Sequence, residues 1–550
     1  MIYGDIFYIL IEFILCLICY FLAGYAEKVI SSKWRLIYVF PVVACLVALA
    51  VNGFEISLMG AYIGSLVMLV GFWDESKKKR CISVVAAAVL TVVSIPACML
   101  NKGYRSPDYL KEFKTGFEAM KEHYCLTEHK GIDWDELYEE YYPQFKEADK
   151  NHDDVANYIA WAHFTSEFYD GHVAYVTNDK TIEKATAQMY GNDYGLSLMR
   201  LADGRVVAVN VEPDSEASRS GIRNGTEIVD WDGESPEALI AEFAQPYLVN
   251  VPVAENEDFY KPVYAAGKGG DTVDITFVDD EGLYKTVTLE KLGYYSERIA
   301  DTLDIISAGR NESNLSVTRL NADTACLRLS QMIYDSKTGQ SGDYSGMYEE
   351  LKTKLEEQKN VGVTNLVIDI RNNGGGDPNF ILTVIKLLAP DKEFGYAYSG
   401  VWDDKNNEFM YDEEAGHYVV GEGTVFEGED MWGDGQIILL VSANTVSAGD
   451  HFTALMSELD NVTIMGFTPT NCSGQAIRGV VFSDGVLSFS TVPTLNEDGT
   501  IYIDTSSDRI ATTPLDVRIP FDEDAVDVIF NKGEDYIMSY ALDYISRQRQ

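Results

Sequence analysis

Paired cysteines, an excess of basic charge and a metal-ligand cluster are all missing from this 550-residue chain. Of eight cysteines, Cys16, Cys19, Cys45, Cys81 and Cys98 lie in or beside apolar runs, leaving only Cys125, Cys326 and Cys472 elsewhere. Those three are scattered, with no C-x-x-C spacing, which excludes a disulfide framework and a zinc ribbon. No neighbouring cation in the sequence activates Cys472, so it reads as packing. Lys and Arg number 43 against 86 Asp and Glu, a formal charge of -43 that would repel nucleic acid. The acid is spread through the soluble part and reads as solvation. There is no H-E-x-x-H, and His123, His129, His152 and His163 show no ligand spacing, so neither a metal nor another cofactor is expected.

What is present begins with membrane. Four apolar runs, about Ile6–Tyr25, Leu36–Val51, Ile56–Trp73 and Ile82–Met99, are each near the roughly 20 residues that span a bilayer. Lys28, Lys33 and Arg35 follow the first run and Lys77-Lys78-Lys79-Arg80 the third, whereas the loop after the second carries no cation. The positive-inside rule therefore puts the chain after Leu100 on the outer, extracytoplasmic side of a cell membrane. Glu12 in the first run reads as a snorkelling near-interface carboxylate.

Chemistry concentrates in three distant stretches. In QIILLVSANTVSAGDHF, Ile437–Val441 is a buried strand, and His451–Leu459 has helical apolar spacing. Ser447 falls on the turn between them, beside the unpaired N–H groups that open a helix. Such a place suits either a helix cap or an exposed hydroxyl with oxyanion donors at hand. In LVIDIRNNGGG, a buried strand runs into Gly374-Gly375-Gly376, where the backbone can approach a ligand closely. In FYDGHVAYV, His172 follows an Asp-Gly turn at the end of an amphipathic helix.

LVIDIRNNGGG, NTVSAGDHF and EFYDGHV resemble, in order, the signature blocks of the tail-specific (C-terminal processing) and tricorn-core serine peptidases, over roughly Tyr109 to the C-terminus. The resemblance implies a crotonase/ClpP-like ββα spiral core, whereas the spacing itself reads only as α/β. It implies Ser447 as nucleophile and His172 as the base that later protonates the leaving amine. Oxyanion donors would be the N–H groups of Ala448 and of Gly376 or Gly375. One family branch uses a lysine base in a strand turn after the nucleophile. The matching stretch here, GFTPTNCSGQ, has Asn471 in that place, and Asn cannot accept the proton. The acidic partner of His172, which the family carries near the end of the domain, falls on Asp508, with Asp504 second. Asp450, in the first helical turn after Ser447, reads as complementing the helix dipole or as helping the site.

Helical spacing at Tyr109, Phe113, Phe117 and Met120, at Leu137, Tyr141 and Tyr142, and at Ile159, Phe164 and Phe168 predicts a helical subdomain that delivers His172. From Gly195 to about Lys291 the chain resembles a PDZ domain, with an insertion over about Leu239–Gly270. The resemblance implies that the turn Tyr194-Gly195-Leu196-Ser197 holds a peptide C-terminus, the peptide being added as a strand. The expected organisation is a membrane domain with four transmembrane helices at 1–103, a helical N-terminal subdomain at 104–184, a PDZ-like β-rich domain at 185–292 and an α/β peptidase core at 293–550. The expected activity is that of a membrane-anchored serine endopeptidase acting on extracytoplasmic protein or peptide substrates. The alternatives are a catalytically idle ectodomain that binds peptide or an apolar ligand, and a membrane signalling or structural protein whose spans do the work. The sequence does not name the oligomeric state.

Overall fold

A computed structural model describes residues 108–548, except 308–313, 407 and 434, together with isolated positions between 18 and 86. The four apolar runs and Glu12 thus lie outside the described residues, apart from those isolated positions. Among the described residues no helix is long and apolar enough to cross a membrane. The chain forms two units. One comprises Met1–Glu112 with Phe482–Asp484, and its described part is tied by the hydroxyl and N–H of Ser483, which both donate to Glu112. The other, Phe113–Val481 with Gly485–Gln550, holds everything discussed below.

Its N-terminal part is helical: α1 (Tyr109–His123), α2 (Thr127–Lys130), α3 (Trp134–Asn151) and α4 (Asp154–Ser166). Asp133 and Asp153 cap α3 and α4 by accepting first-turn N–H groups. The helices bury an aromatic core. Phe113 stacks on Phe145 at 4.1 Å and Trp161 on Tyr175 at 5.0 Å, and such pairs add to simple area burial. Tyr175 lies in strand β1 (Ala174–Thr177), so the aromatic core fixes the turn Asp170–Val173 that carries His172.

The next part pairs β2 (Ser197–Arg200) with β3 (Val206–Val209) and adds the meander β4 (Ile228–Trp231), β5 (Thr272–Val278) and β6 (Tyr284–Glu290). The insertion between β4 and β5 is not an open loop. It folds into the short helix Pro236–Glu242 and into α5 (Ala254–Ala265), which packs on β2. Helix α6 (Tyr295–Ile306) follows.

The last part is built on a six-stranded sheet of β7 (Leu315–Arg319), β8 (Thr324–Leu329), β9 (Asn365–Asp369), β10 (Ile437–Leu440), β11 (Val462–Gly466) and β12 (Val517–Arg518), in the order β12-β11-β10-β9-β8-β7. All neighbours are parallel except β7 with β8. Parallel strands are covered on both faces, which explains their unbroken apolar runs. Leu366, Ile368, Ile437 and Leu439 face one core with the helices Ser345–Asn360, Pro378–Leu388 and Ala448–Ser457. Val367, Ile438, Leu440 and Met465 face the other, which continues without a break into the β2–β6 region and the C-terminal helix Tyr536–Arg547.

Candidate active site

Strand β10 ends at Leu440, and the chain turns through Asn444 and Thr445 into the helix that begins at Ala448. Ser447 stands at the corner with φ 60° and ψ -118°. A non-glycine residue there is strained, and such strain is held only where the surroundings over-determine it. Here they do. The Ser447 N–H donates to Asp450 Oδ2 at 2.8 Å and to the Ser473 carbonyl at 3.1 Å. Asp450 is buried and also accepts the N–H groups of Cys472 and Ser473. Burial pushes its carboxyl up to about 7. Asp450 is therefore a pin between the Ser447 corner and the Thr470–Gln475 loop rather than a solvated first-turn charge.

Strand β9 delivers the glycine turn against that corner. A Cβ on Gly375 would come within 2.6 Å of Ser447 Cβ, and one on Gly376 within 2.4 Å of the Met332 carbonyl oxygen, so neither position has room for a side chain. Asn373 Oδ1 takes the Gly375 N–H at 2.9 Å. The N–H groups of Gly376 and Ala448 donate to no acceptor among the described residues, and both residues line one cavity of about 1000 Å³ with Ser447, His172, His451 and Gly474–Ile477. Of the two glycines named as donors, Gly376 rather than Gly375 keeps its N–H free.

His172 reaches this cavity from the other end of the chain. Its N–H donates to Asp170 Oδ1 at 2.9 Å, and Asp170, wholly buried, also accepts the hydroxyls of Tyr124 and Ser490. Gly171 is clamped between its N–H bond to Ser473 Oγ, 2.8 Å, and Asn471, whose Oδ1 lies 2.2 Å from where a Cβ would be. Asn471, in the place of the lysine, thus packs against Gly171, with its amide donating to the Asn250 and Ala443 carbonyls. Burial lowers the His172 pKa, opposed by the negative charge of Asp170 and by the Gln475 backbone carbonyl that bonds the ring. The result is an imidazole that is neutral near pH 7.

Two sequence assignments need correction. Asp508 does not face His172: it is exposed, and its Oδ1 accepts from Ser506 Oγ at 2.9 Å and from the Ile510 N–H at 3.1 Å. Those bonds, with His129 as the neighbouring cation, lower its pKa. It caps its own turn. Asp504 is buried; its Oδ2 accepts the Gly474 N–H and the Gln475 amide, both at 3.1 Å, while Lys130 lies 3.5 Å from Oδ1. It holds the Gly474–Gln475 segment, whose Gln475 carbonyl meets the His172 ring. The second correction concerns Gly195, Leu196 and Ser197 as a peptide-binding turn. The Gly195 N–H is taken by Asp193 Oδ1 at 2.8 Å, Leu196 is in the core, and the buried Ser197 hydroxyl bonds Thr302 and Tyr295. The acceptor a peptide carboxylate would supply is already provided by Asp193, and α5 covers β2.

The sequence reading passed over His451, Gln475, Asp170 and Lys130. His451 lies in the first turn of the helix that follows Ser447, and its N–H donates to the Ser447 carbonyl at 3.1 Å. Its Nε2 donates to the Gly474 carbonyl at 2.6 Å, and burial lowers its pKa to about 4, aided by His172. Lys130 donates to the carbonyls of Tyr169 and Thr505, tying the helical part to the segment that holds Asp504. A lysine closing a short helix gives no sequence signal for such a bond.

A parallel sheet that delivers a strained serine to a cavity with a neutral imidazole and two free backbone N–H groups defines a serine hydrolase of α/β class. Residues 323–508 match the family description "Peptidase family S41", and residues 107–157 match "Tricorn protease C1 domain". The chain is a serine peptidase, similar to family S41 over the first of these stretches and to the tricorn C1 domain over the second. Among solved structures, it is similar to mature CPAF complexed with lactacystin at 14% identity and a TM-score of 0.52, over 80% of this chain and 97% of that one. Mature CPAF alone gives 14% identity and a TM-score of 0.51, over 80% and 96%. At that identity the likeness is one of fold.

Proposed function

We propose that Ser447 and His172 are the catalytic pair of an endopeptidase held at the outer face of a membrane by the apolar N-terminal segment, residues 1–103. Ser447 Oγ attacks the scissile carbonyl as His172 takes its proton, and the N–H groups of Ala448 and Gly376 receive the oxyanion. His172 then gives the proton to the leaving amine, and water, deprotonated in turn by His172, releases the acyl group. Asp170 favours the imidazolium by its charge, while the Gln475 carbonyl orients the ring. No carboxylate need touch the ring for this, since Asp170 acts through space in a buried setting where charge is weakly screened. The observation that carries the reading is the pair of unpaired N–H groups, on Ala448 and Gly376, that open on the same cavity as the strained serine and the imidazole. A bland helix cap would leave no reason for Gly375 to press on Ser447.

The outer-face placement is supported by the four apolar runs and by cationic residues confined to the first and third loops. To test both parts, the detergent-solubilised full chain is treated with a fluorophosphonate and with unfolded casein. The wild type is labelled and cuts casein, while Ser447→Ala does neither and keeps its thermal midpoint. A Ser447→Ala protein that still cleaves would end this assignment. Degradation of the C-terminal part by protease added to intact spheroplasts is the result expected for the outer face, and full protection is the result that would reverse the topology.

A further inference from the structure

The insertion between β4 and β5 reaches well beyond the sheet it leaves. Gln245 meets His163 of the helical part at 3.1 Å, and Val249 forms part of the catalytic cavity wall. The next residue, Asn250, is held among backbone carbonyls. Its Nδ2 lies 3.1 Å from the Asp170 carbonyl oxygen, 2.5 Å from that of Val173 and 3.2 Å from that of Thr165. Two of these acceptors bracket His172, one two residues before it and one immediately after. The Asn250 carbonyl in turn accepts the side-chain amide of Asn471 at 3.1 Å. Asn471 Oδ1 takes the Ser473 hydroxyl at 2.8 Å, and the same hydroxyl oxygen accepts the Gly171 N–H. Asn250 and the Asn471–Ser473 pair therefore both grip the turn that carries the imidazole, and the two grips are bonded to each other.

The segment that bears Asn250 is itself fixed. Arg509 donates to the carbonyls of Val251 and Pro252 and is paired with Glu257 at 2.6 Å. Asn256, wholly buried in the first turn of α5, donates to the Thr470 carbonyl at 2.9 Å. The Thr470 side chain bonds Asp450, whose carboxylate takes the Ser447 N–H. One insertion is thus bonded to the supports of both members of the catalytic pair. Satisfied polar networks of this kind hold the segments they join in a single arrangement. An insertion that only covered β2 would need none of these amides.

We infer that Asn250 is a positioning residue for the peptidase reaction, aiming the His172 imidazole at Ser447 by holding the backbone on either side of it. This rests on the proposed Ser447/His172 function. Asn250 does not line the cavity, so it acts through His172 and not on substrate.

The test uses the full chain, a fluorogenic peptide copied from the casein segment that the wild type cuts fastest, and a fluorophosphonate. Asn250→Ala removes the amide and keeps the backbone carbonyl that Asn471 uses. Its kcat is expected to fall about 10- to 100-fold, the cost of misplacing a catalytic group by an ångström or less, with KM within about twofold of wild type. Fluorophosphonate labelling should slow by the same factor. In a His172→Ala background the substitution should leave the slow residual labelling unchanged. Tyr247→Phe loosens the same segment by removing a hydroxyl bond to Glu257 at 3.1 Å, and it is expected to lower the thermal midpoint with kcat as in the wild type. Four results overturn the inference: Asn250→Ala losing stability with kcat of the folded enzyme intact, a rise in KM alone, a further slowing of labelling when the imidazole is already gone, or a kcat loss in Tyr247→Phe equal to that of Asn250→Ala. Should Asn250→Ala not fold, Asn250→Asp, which keeps the size and sets an acceptor against the same carbonyls, is read by the same criteria. A His172→Ala enzyme as active as the wild type overturns the catalytic reading first.

Discussion

Gly195 and Gly376 both hold a positive φ, 85° and 146°, beside a strand, and both belong to turns that read as places for a ligand. At Gly195 the N–H is occupied by Asp193, which is itself bridged to Arg298 at 2.6 Å. At Gly376 the N–H meets nothing among the described residues and opens on the cavity. The difference is that one turn carries its own carboxylate and the other does not. A glycine turn with free donors is a binding site only if the fold has not already supplied the acceptor, and an Asp two residues upstream is enough to supply it.

Substitution at each turn separates the two. Gly376→Ala forces a Cβ into the Met332 carbonyl and moves the oxyanion donor. Its kcat on a peptide substrate is expected to fall about 100-fold or more, the size of losing one such donor, while circular dichroism stays native. A rise in KM with kcat unchanged would mean that this N–H is not aimed at the oxyanion. Asp193→Ala leaves Arg298, 7% exposed, with only Glu212 for a charged partner. Stability to urea is expected to drop by about 1–3 kcal/mol with kcat of the folded enzyme unchanged. A selective loss of peptide affinity without loss of stability would restore Gly195 as a binding turn.

Acidity probes the cavity side of the comparison. Burial depresses the His172 pKa, and the base is lost as pH falls through that lowered value. The acid limb of kcat/KM should therefore have its midpoint below the ordinary histidine value of about 6.5. A midpoint above 6.5 would show that a carboxylate touches the ring after all. The smallest effect belongs to Asp508, spent on its own exposed turn. Asp508→Asn should keep kcat/KM within about twofold, since exposed substitutions away from the site are nearly neutral. A 100-fold loss there would show that the turn moves onto His172 when substrate binds.

Legibility followed range along the chain. The Ser447 corner and the Gly374–Gly376 turn were readable because a strand, a break and a helix are local patterns, and strands β9 and β10 because buried parallel strands are unbroken runs of Val, Ile and Leu. The hairpin of β13 (Ala476–Val481) and β14 (Gly485–Val492) was not read: AIRGVV is exposed along most of its length and shows no inward face. The acid that influences His172 was sought near the C-terminus, although Asp170 stood two residues before it in the block already singled out. Helix α5 was hidden in a stretch that passed for a loop, and its packing on β2 is what closes the expected peptide groove.

Lys130 bonds a carbonyl 375 positions further on, and Gly171 is clamped by a serine 302 positions away. The imidazole's perch is thus finished by residues synthesised long after it. A chain still emerging, or one clipped before its final strands, has the histidine and no seat for it.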